Sequence, residues 1–167
     1  GVLTLNDCNI LFAHAFTRTD GKVLDVFHVE DVAGTNPIDD ARIDRIRHDL
    51  DEVLSGRLEI HEAVENHLPK WKRKKVSLIP APLQVEFDND ISPEVTIIDI
   101  FAMDQPGLLF KLTWVLARDG LTIHRARIST EANRAIDSFD VQDSKGSKIT
   151  TISKLRHMRV HLETILG

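Results

Sequence analysis

Thr96-Ile97-Ile98-Asp99-Ile100-Phe101-Ala102-Met103-Asp104-Gln105-Pro106-Gly107-Leu108-Leu109 runs from an apolar segment into the start of an amphipathic one. Four of the first six residues are apolar and they fall on both faces, which predicts a strand covered on both sides and central in its sheet. Leu108, Leu109, Leu112, Val115 and Leu116 then recur at helical spacing, and Asp119-Gly120 is a stop signal. Between strand and helix, Asp104 is placed to cap the helix, Pro106 suits its first turn, and Gly107 permits close approach to the backbone. A helix start offers unpaired N–H groups and a partial positive charge, a setting for the carboxylate of a small ligand.

Working outward, the same elements occur twice. Leu24-Asp25-Val26-Phe27-His28-Val29-Glu30-Asp31 matches Ile136-Asp137-Ser138-Phe139-Asp140-Val141-Gln142-Asp143 at a constant offset. That offset also carries Gly34 to Gly146, and Ile43, Ile46, Leu50 and Val53 to Leu155, Met158, Leu162 and Ile165. Upstream it grows by one residue, aligning Val2-Leu3 with Val115-Leu116, Ile10 with Ile123, Ala13 with Ala126 and Thr17 with Thr130. The extra residue falls near Thr19-Asp20-Gly21, where a hairpin turn tolerates it.

The second copy is the fuller. After its strand and helix, Leu121 to Thr130 and Ala135 to Asp143 read as a hairpin turned near Glu131-Ala132-Asn133. Ile152, Leu155, Met158, Leu162, Ile165 and Leu166 form the apolar stripe of a last helix. This is most of a βαββαβ plan: an α+β fold, ferredoxin-like, with two helices on one face of an antiparallel sheet. The closing strand is missing after the last helix. Leu83 to Phe87 precedes strand 95–101 across a turn-like stretch and is expected to fill that place as its hairpin partner. The first copy lacks its first strand and half its first helix, because Gly1 aligns with Trp114. The chain therefore reads as part of something longer. Its expected organisation is a first unit at 1–68, a basic and proline-containing linker at 69–82, and a second unit at 83–167.

Composition narrows the function. A net charge of −5 argues against general nucleic-acid binding, and 42% hydrophobic content is ordinary for a globular protein. No apolar run reaches membrane-spanning length. The lone Cys8 cannot form an internal disulfide, which suits a reducing, cytoplasmic compartment. Lys70-Trp71-Lys72-Arg73-Lys74-Lys75, beside Pro69, Pro80 and Pro82, reads as a solvated linker or a dock for an acidic surface rather than a nucleic-acid site.

Strand, Asp-x-Pro-Gly-Leu, helix, strand, hairpin and helix together resemble the ACT domain, a small module that binds amino acids. The pair is similar to the tandem ACT units of bifunctional uridylyltransferase/uridylyl-removing enzymes, through Val53-Leu54-Ser55-Gly56, Val85-Glu86-Phe87-Asp88-Asn89-Asp90, the stretch quoted first, and Leu121-Thr122-Ile123-His124-Arg125-Ala126-Arg127-Ile128-Ser129-Thr130. The resemblance implies glutamine sensing that controls modification of the PII nitrogen-signalling protein, with catalysis left to other domains of the parent. No cofactor, metal or catalytic residue is expected in the chain; the partners implied are glutamine or another small amino acid, those catalytic domains, PII through them, and a second copy of the chain. An ACT pair sensing another amino acid elsewhere, or one that only assembles, is the alternative.

ACT units commonly pair side by side through their second strands. Carried over by position, Asp104, Gln105, Pro106, Gly107, Leu108 and Leu109 would face Asn9 and Ile10 of the first unit. The amides of Gly107 and Leu108 would hold the ligand carboxylate; the Asn9 or Ile10 backbone, the Asn9 side chain and Asp104 would take the ammonium or amide. Thr122 and Ile123 would be the equivalents in the second unit, facing a loop the chain lacks. Outside this site, Asp25 and Asp137 share strand parity with Phe27 and Phe139, and Arg18 or Arg127 is the expected partner for these inward carboxylates. His157 and His161, four apart, show no third metal ligand in the sequence, and His61 and His67 flank a short helical stretch without metal-binding support.

Overall fold

The computed structural model describes residues 1–32, 37–70, 83–131 and 134–166. The elements are α1 (Val2–Leu5), β1 (Cys8–Thr17), β2 (Val23–Asp31), α2 (Asp40–Leu54), α3 (Ile60–His67), β3 (Gln84–Asp88), β4 (Thr96–Met103), α4 (Leu108–Arg118), β5 (Leu121–Glu131), β6 (Arg134–Asp143) and α5 (Ile152–Leu166), with a 3-10 turn at Leu68–Lys70. Most of the basic run, from Trp71 on, and Gly34 lie outside the described residues.

All six strands join one antiparallel sheet in the order β2-β1-β5-β6-β4-β3. β4, apolar on both faces, is flanked by β3 and β6 and has five of its eight residues buried. β3 pairs with β4 from Gln84↔Phe101 to Asp88↔Ile97, so the segment before the turn does supply the strand that a βαββαβ sheet closes with. Thr96 pins that turn: its hydroxyl donates to Asn89 Oδ1 and accepts from the Ile149 N–H, while Asn89 donates to the Ile149 carbonyl.

β1 and β5 make the seam between the copies. Their register runs Phe12↔Ser129, Ala13↔Ile128, His14↔Arg127, Ala15↔Ala126, Phe16↔Arg125. Under the repeat, Arg127 is the equivalent of His14, and Ser129 and Arg125 are the equivalents of Phe16 and Phe12. The seam is thus self-complementary about His14 and Arg127, as an isologous contact between identical subunits is. Each second strand also carries a bulge at the same place: Leu11 in β1 and His124 in β5 are skipped in the pairing with their hairpin partners. The repeat extends to the bend that enters these strands, where Asp7 takes the left-handed conformation (φ 54°) that Gly120 takes in the second copy (φ 74°).

The core belongs almost entirely to the second copy. Ile98, Leu112, Leu116, Phe139, Val141, Met158 and Leu162 are fully buried between the sheet and α4 and α5. Among the described residues of the first copy, Ala13 alone joins the buried cluster, with Ile10 and Ala15 packed against it. The apolar stripe predicted for α2 is present, but no residue of the helix is fully buried; Leu50 and Leu54 are exposed, as are Val23, Val26 and Phe27 of the edge strand β2. The copies therefore fold the same elements with unequal packing: α2 meets the four-residue α1, where α5 packs on the eleven-residue α4.

Candidate functional site

The loop after β4 closes on a helix start built differently from the expectation. Gly107, with φ +73°, is the N-cap of α4, and no side chain caps the helix. Asp104, three residues earlier, is not the cap; its carboxyl accepts the Gln105 N–H instead and is raised above the usual carboxylate range by burial. The Leu108 N–H donates to the Gln105 carbonyl at 3.0 Å, so that amide, expected to hold a carboxylate, is already used. The donors of the first turn left for a ligand are then the N–H groups of Leu109 and Phe110. Gly107 is required on two counts: its positive φ, and a Cβ that would lie 2.9 Å from Leu68 Cδ2. Gly107→Ala is expected to cost about 1–2 kcal/mol from the left-handed backbone alone. Thermal unfolding of Gly107→Ala beside Gly107→Ala/Leu68→Ala separates backbone strain from the side-chain contact.

Across the seam, the start of β1 faces this loop. One cavity of about 40 Å³ is lined by Cys8, Asn9 and Ile10 from β1, Asp104, Gln105, Gly107, Leu108, Leu109 and Phe110 from the loop and α4, and Ile128, Thr130, Ala135 and Asp137 from the hairpin, with Thr4 of α1. Seven of the ten residues singled out in sequence line this cavity: Asn9 and Ile10 meet the loop, and Pro106 alone of the loop residues stands outside the lining. The Asn9 side chain donates to Glu30 Oε1 at 3.3 Å on the neighbouring strand. Thr130 Oγ1 donates to the Ile10 carbonyl, a long bond that stitches the seam at the cavity edge.

Thr122 and Ile123 do not reach this cavity. Ile123 lines a second, open depression with Ala15, Thr17, Asp25, Ala13, Phe27 and His124 among others. Its lining repeats the first: Ile123, Ala15, Thr17 and Asp25 are the equivalents of Ile10, Ile128, Thr130 and Asp137. Thr122 is exposed. The second depression is the same half-site without a loop over it.

Sequence reasoning undervalued Asp137. It is 2% exposed, its Oδ1 has no hydrogen-bond partner among the described residues, and it lines the cavity floor. Desolvation first, and the nearby Asp104 second, push its pKa up to about 7 against a backbone hydrogen bond from Ser129. Neither expected arginine reaches it. Arg127 lies 3.6 Å from Asp140 and donates to Ser138, and Arg18 pairs with Asp20. The guanidinium finds a carboxylate on the adjacent strand and outer face, which strand alternation places nearer than Asp137. Asp25, in the open half-site, is raised in the same direction by the same desolvation.

Cys8 is buried, and burial pushes its thiol up, which removes nucleophilic character. The histidine pair on α5 does acquire a third donor: Asp119, which ends α4, bonds His161 Nδ1 at 2.9 Å, and the ligand atoms of Asp119, His157 and His161 lie within 4.8 Å of one another. These are residues that could hold a divalent metal, invisible in sequence because Asp119 is 42 residues away. They lie on the α4–α5 side, apart from the cavity.

Residues 91–166 match the family model described as ACR family N-terminal ACT domain. Those residues, a little under half of the chain, are similar to an ACT domain. Curated relatives match the whole length: the bifunctional uridylyltransferase/uridylyl-removing enzymes of Gluconobacter oxydans, 34% identical over 100% of this chain, and of Azospirillum brasilense, 36% identical over 97%. The enzyme of the same name from Rhodospirillum rubrum is 34% identical over 99%. The chain spans only 17–18% of the length of these relatives. No solved structure matches it. The ACT match covers the sheet half β4-β6-β5 with both helices that bury the core, and the seam adds the strands of the first copy to it.

Proposed function

We propose that this chain is an amino-acid-sensing regulatory region, that its ligand is glutamine, and that the ligand sits at the seam between the two copies. One observation carries the reading: the loop at Asp104–Leu109 and the strand start at Asn9 and Ile10, 94 or more residues apart in sequence, line one cavity. A ligand held by both halves binds best to one relative arrangement of the copies, which is what transmission to another domain requires. The Leu109 and Phe110 amides would take the carboxylate and the β1 backbone the amide end. By likeness to the uridylyltransferase/uridylyl-removing enzymes, the output would be the balance between attaching UMP to the PII protein and removing it, performed by domains outside this chain.

At about 40 Å³ the cavity holds roughly a water or two, so glutamine requires the Asp104–Gly107 loop to swing outward. Loop displacement on binding would be the first step of the signal. The same small volume favours, as a second reading, a pair that only assembles. Calorimetry decides between them: titration of the chain with L-glutamine is expected to give saturable heat and a rise in melting temperature that grows with ligand concentration. Absence of heat with each of the common amino acids at millimolar concentration leaves assembly alone.

A further inference from the structure

We propose that Asp104 and Asp137 together form a two-carboxylate receptor for the ammonium group of the ligand, so that the seam cavity admits a cationic amine and rejects its amine-free analogue. The inference rests on the amino-acid-sensing reading and names the part of the ligand the site selects.

Three features of the structure point to it. Asp137 is buried to 2% exposure with one oxygen unpartnered among the described residues, in a cavity wall rather than in packed core. Buried polar atoms are nearly always satisfied, and an exception on a residue that lines a cavity is a place for a donor from outside. The cavity lining contains Asp104 and Asp137 and no Lys, Arg or His among the described residues, so nothing basic within it competes for the two acids. Asp25, the repeat's equivalent of Asp137, lines the open half-site beside the same surrounding residues, so the acid recurs where the half-site recurs.

The groups that face Asp137 are few. β4 and β5 place Ile100 and Ile128 opposite it, the loop contributes Asp104, and Asp140 and Arg127 engage each other instead. With no ligand, the raised proton affinity keeps Asp137 largely neutral below pH 7. When an R–NH3⁺ group enters, Asp137 gives its proton to solvent and stays as a carboxylate paired with the ammonium. The ligand keeps all three of its protons, and binding releases up to one proton to buffer. An N–H⁺···O⁻ contact in a desolvated cavity is among the stronger hydrogen bonds available to a ligand.

The test uses the 167-residue chain with L-glutamine and with 4-carbamoylbutanoate, which has hydrogen in place of the amine. The unmodified chain is expected to prefer glutamine by about 100-fold, and Asp137→Asn to bind glutamine about 10- to 100-fold more weakly with most of that preference gone. Calorimetry at pH 6.5 in buffers of different ionisation enthalpy is expected to show proton release for the unmodified chain and little for Asp137→Asn. A melting curve without ligand checks that the variant folds; should it not fold, the analogue comparison and the proton count on the unmodified chain decide. Equal binding of the two compounds, or glutamine affinity unchanged in Asp137→Asn, overturns the carboxylate receptor and leaves glutamine sensing standing. Absence of any amino-acid binding by the unmodified chain removes both.

Discussion

Between pH 4 and pH 7 the chain is expected to lose stability that Asp137→Asn retains. The folded Asp137 titrates at about 7, against an ordinary value of 3.8 in the unfolded chain. Across that interval the unfolded state has released the proton and the folded state has kept it. The folded state therefore binds more protons, and the free energy of unfolding falls as pH rises. Below pH 4 both states are protonated and the effect is absent; above pH 7 both are ionised and the loss is complete. At roughly 1.4 kcal/mol for each unit of difference, the loss is on the order of 4 kcal/mol, large beside the ~5–15 kcal/mol that holds a typical domain. Asp104, also raised by burial, works in the same direction. Asp88 and Asp143, lowered by backbone N–H groups that they accept, work in the opposite one, losing stability as pH falls. Comparing Asp137→Asn with the unmodified chain cancels those common contributions. The difference in stability, measured by urea unfolding at pH 4, 5, 6, 7 and 8, is expected to be small at pH 4, to grow in favour of Asn up to pH 7, and to level off beyond it. A difference that does not change with pH shows that Asp137 titrates normally. The sign also bears on function: a carboxylate that costs the fold stability at neutral pH, with its unpartnered oxygen in a cavity wall, is explained by something that enters the cavity and pairs with it.

How much of this was written in the sequence depends on whether its causes were local or repeated. The offset between the copies identified the second strands, and strand pairing about His14 and Arg127 then follows from symmetry, because two equivalent edges satisfy each other's hydrogen bonds. The missing closing strand placed β3, since Leu83–Phe87 precedes β4 across a turn and β4 needs a partner on each side. Three details were not readable. Asp104 looks like a cap, but the backbone turns at Gly107, and an intervening Gln105-to-Leu108 turn takes the first amide that a cap would satisfy. Arg127 is in reach of two acids in sequence terms, and only the pleat decides that Asp140 receives it. Asp119 joins the histidines of α5 through tertiary packing of α4 on α5, which no spacing records. The bulges at Leu11 and His124 had a weaker signal: the two residues are equivalents, and a repeat that holds on both sides of them marks the place without revealing the irregularity.

The seam itself can be broken without unfolding the second copy, and Ala13→Asp is the change expected to do it. Ala13 is 1% exposed, lies opposite Ile128 and Phe27, and is the single described residue of the first copy in the buried cluster. Asp is too short to carry its charge to solvent as a lysine does, and burying it there costs about 3 kcal/mol or more. The cost is avoided if β1 leaves β5, and little opposes that departure: no residue of α2 is fully buried, β2 is exposed along most of its length, and the seam is five residue pairs long. The second copy keeps Ile98, Leu112, Phe139, Met158 and Leu162 packed whether β1 is present or not. In hydrogen exchange, amides of β1, β2 and β5's outer edge are therefore expected to lose protection while β4, β6, α4 and α5 keep theirs. Glutamine binding is expected to vanish in the same variant, because Asn9 and Ile10 leave the cavity with β1. His14→Asp, next along the strand but exposed and on the other face, carries the same poor strand propensity without the burial. It is expected to leave exchange and binding close to those of the unmodified chain. If Ala13→Asp and His14→Asp behave alike, the seam is not held by this packing. If Ala13→Asp opens the seam yet glutamine still binds, the site lies within the second copy alone, and the shared cavity is not what senses the ligand.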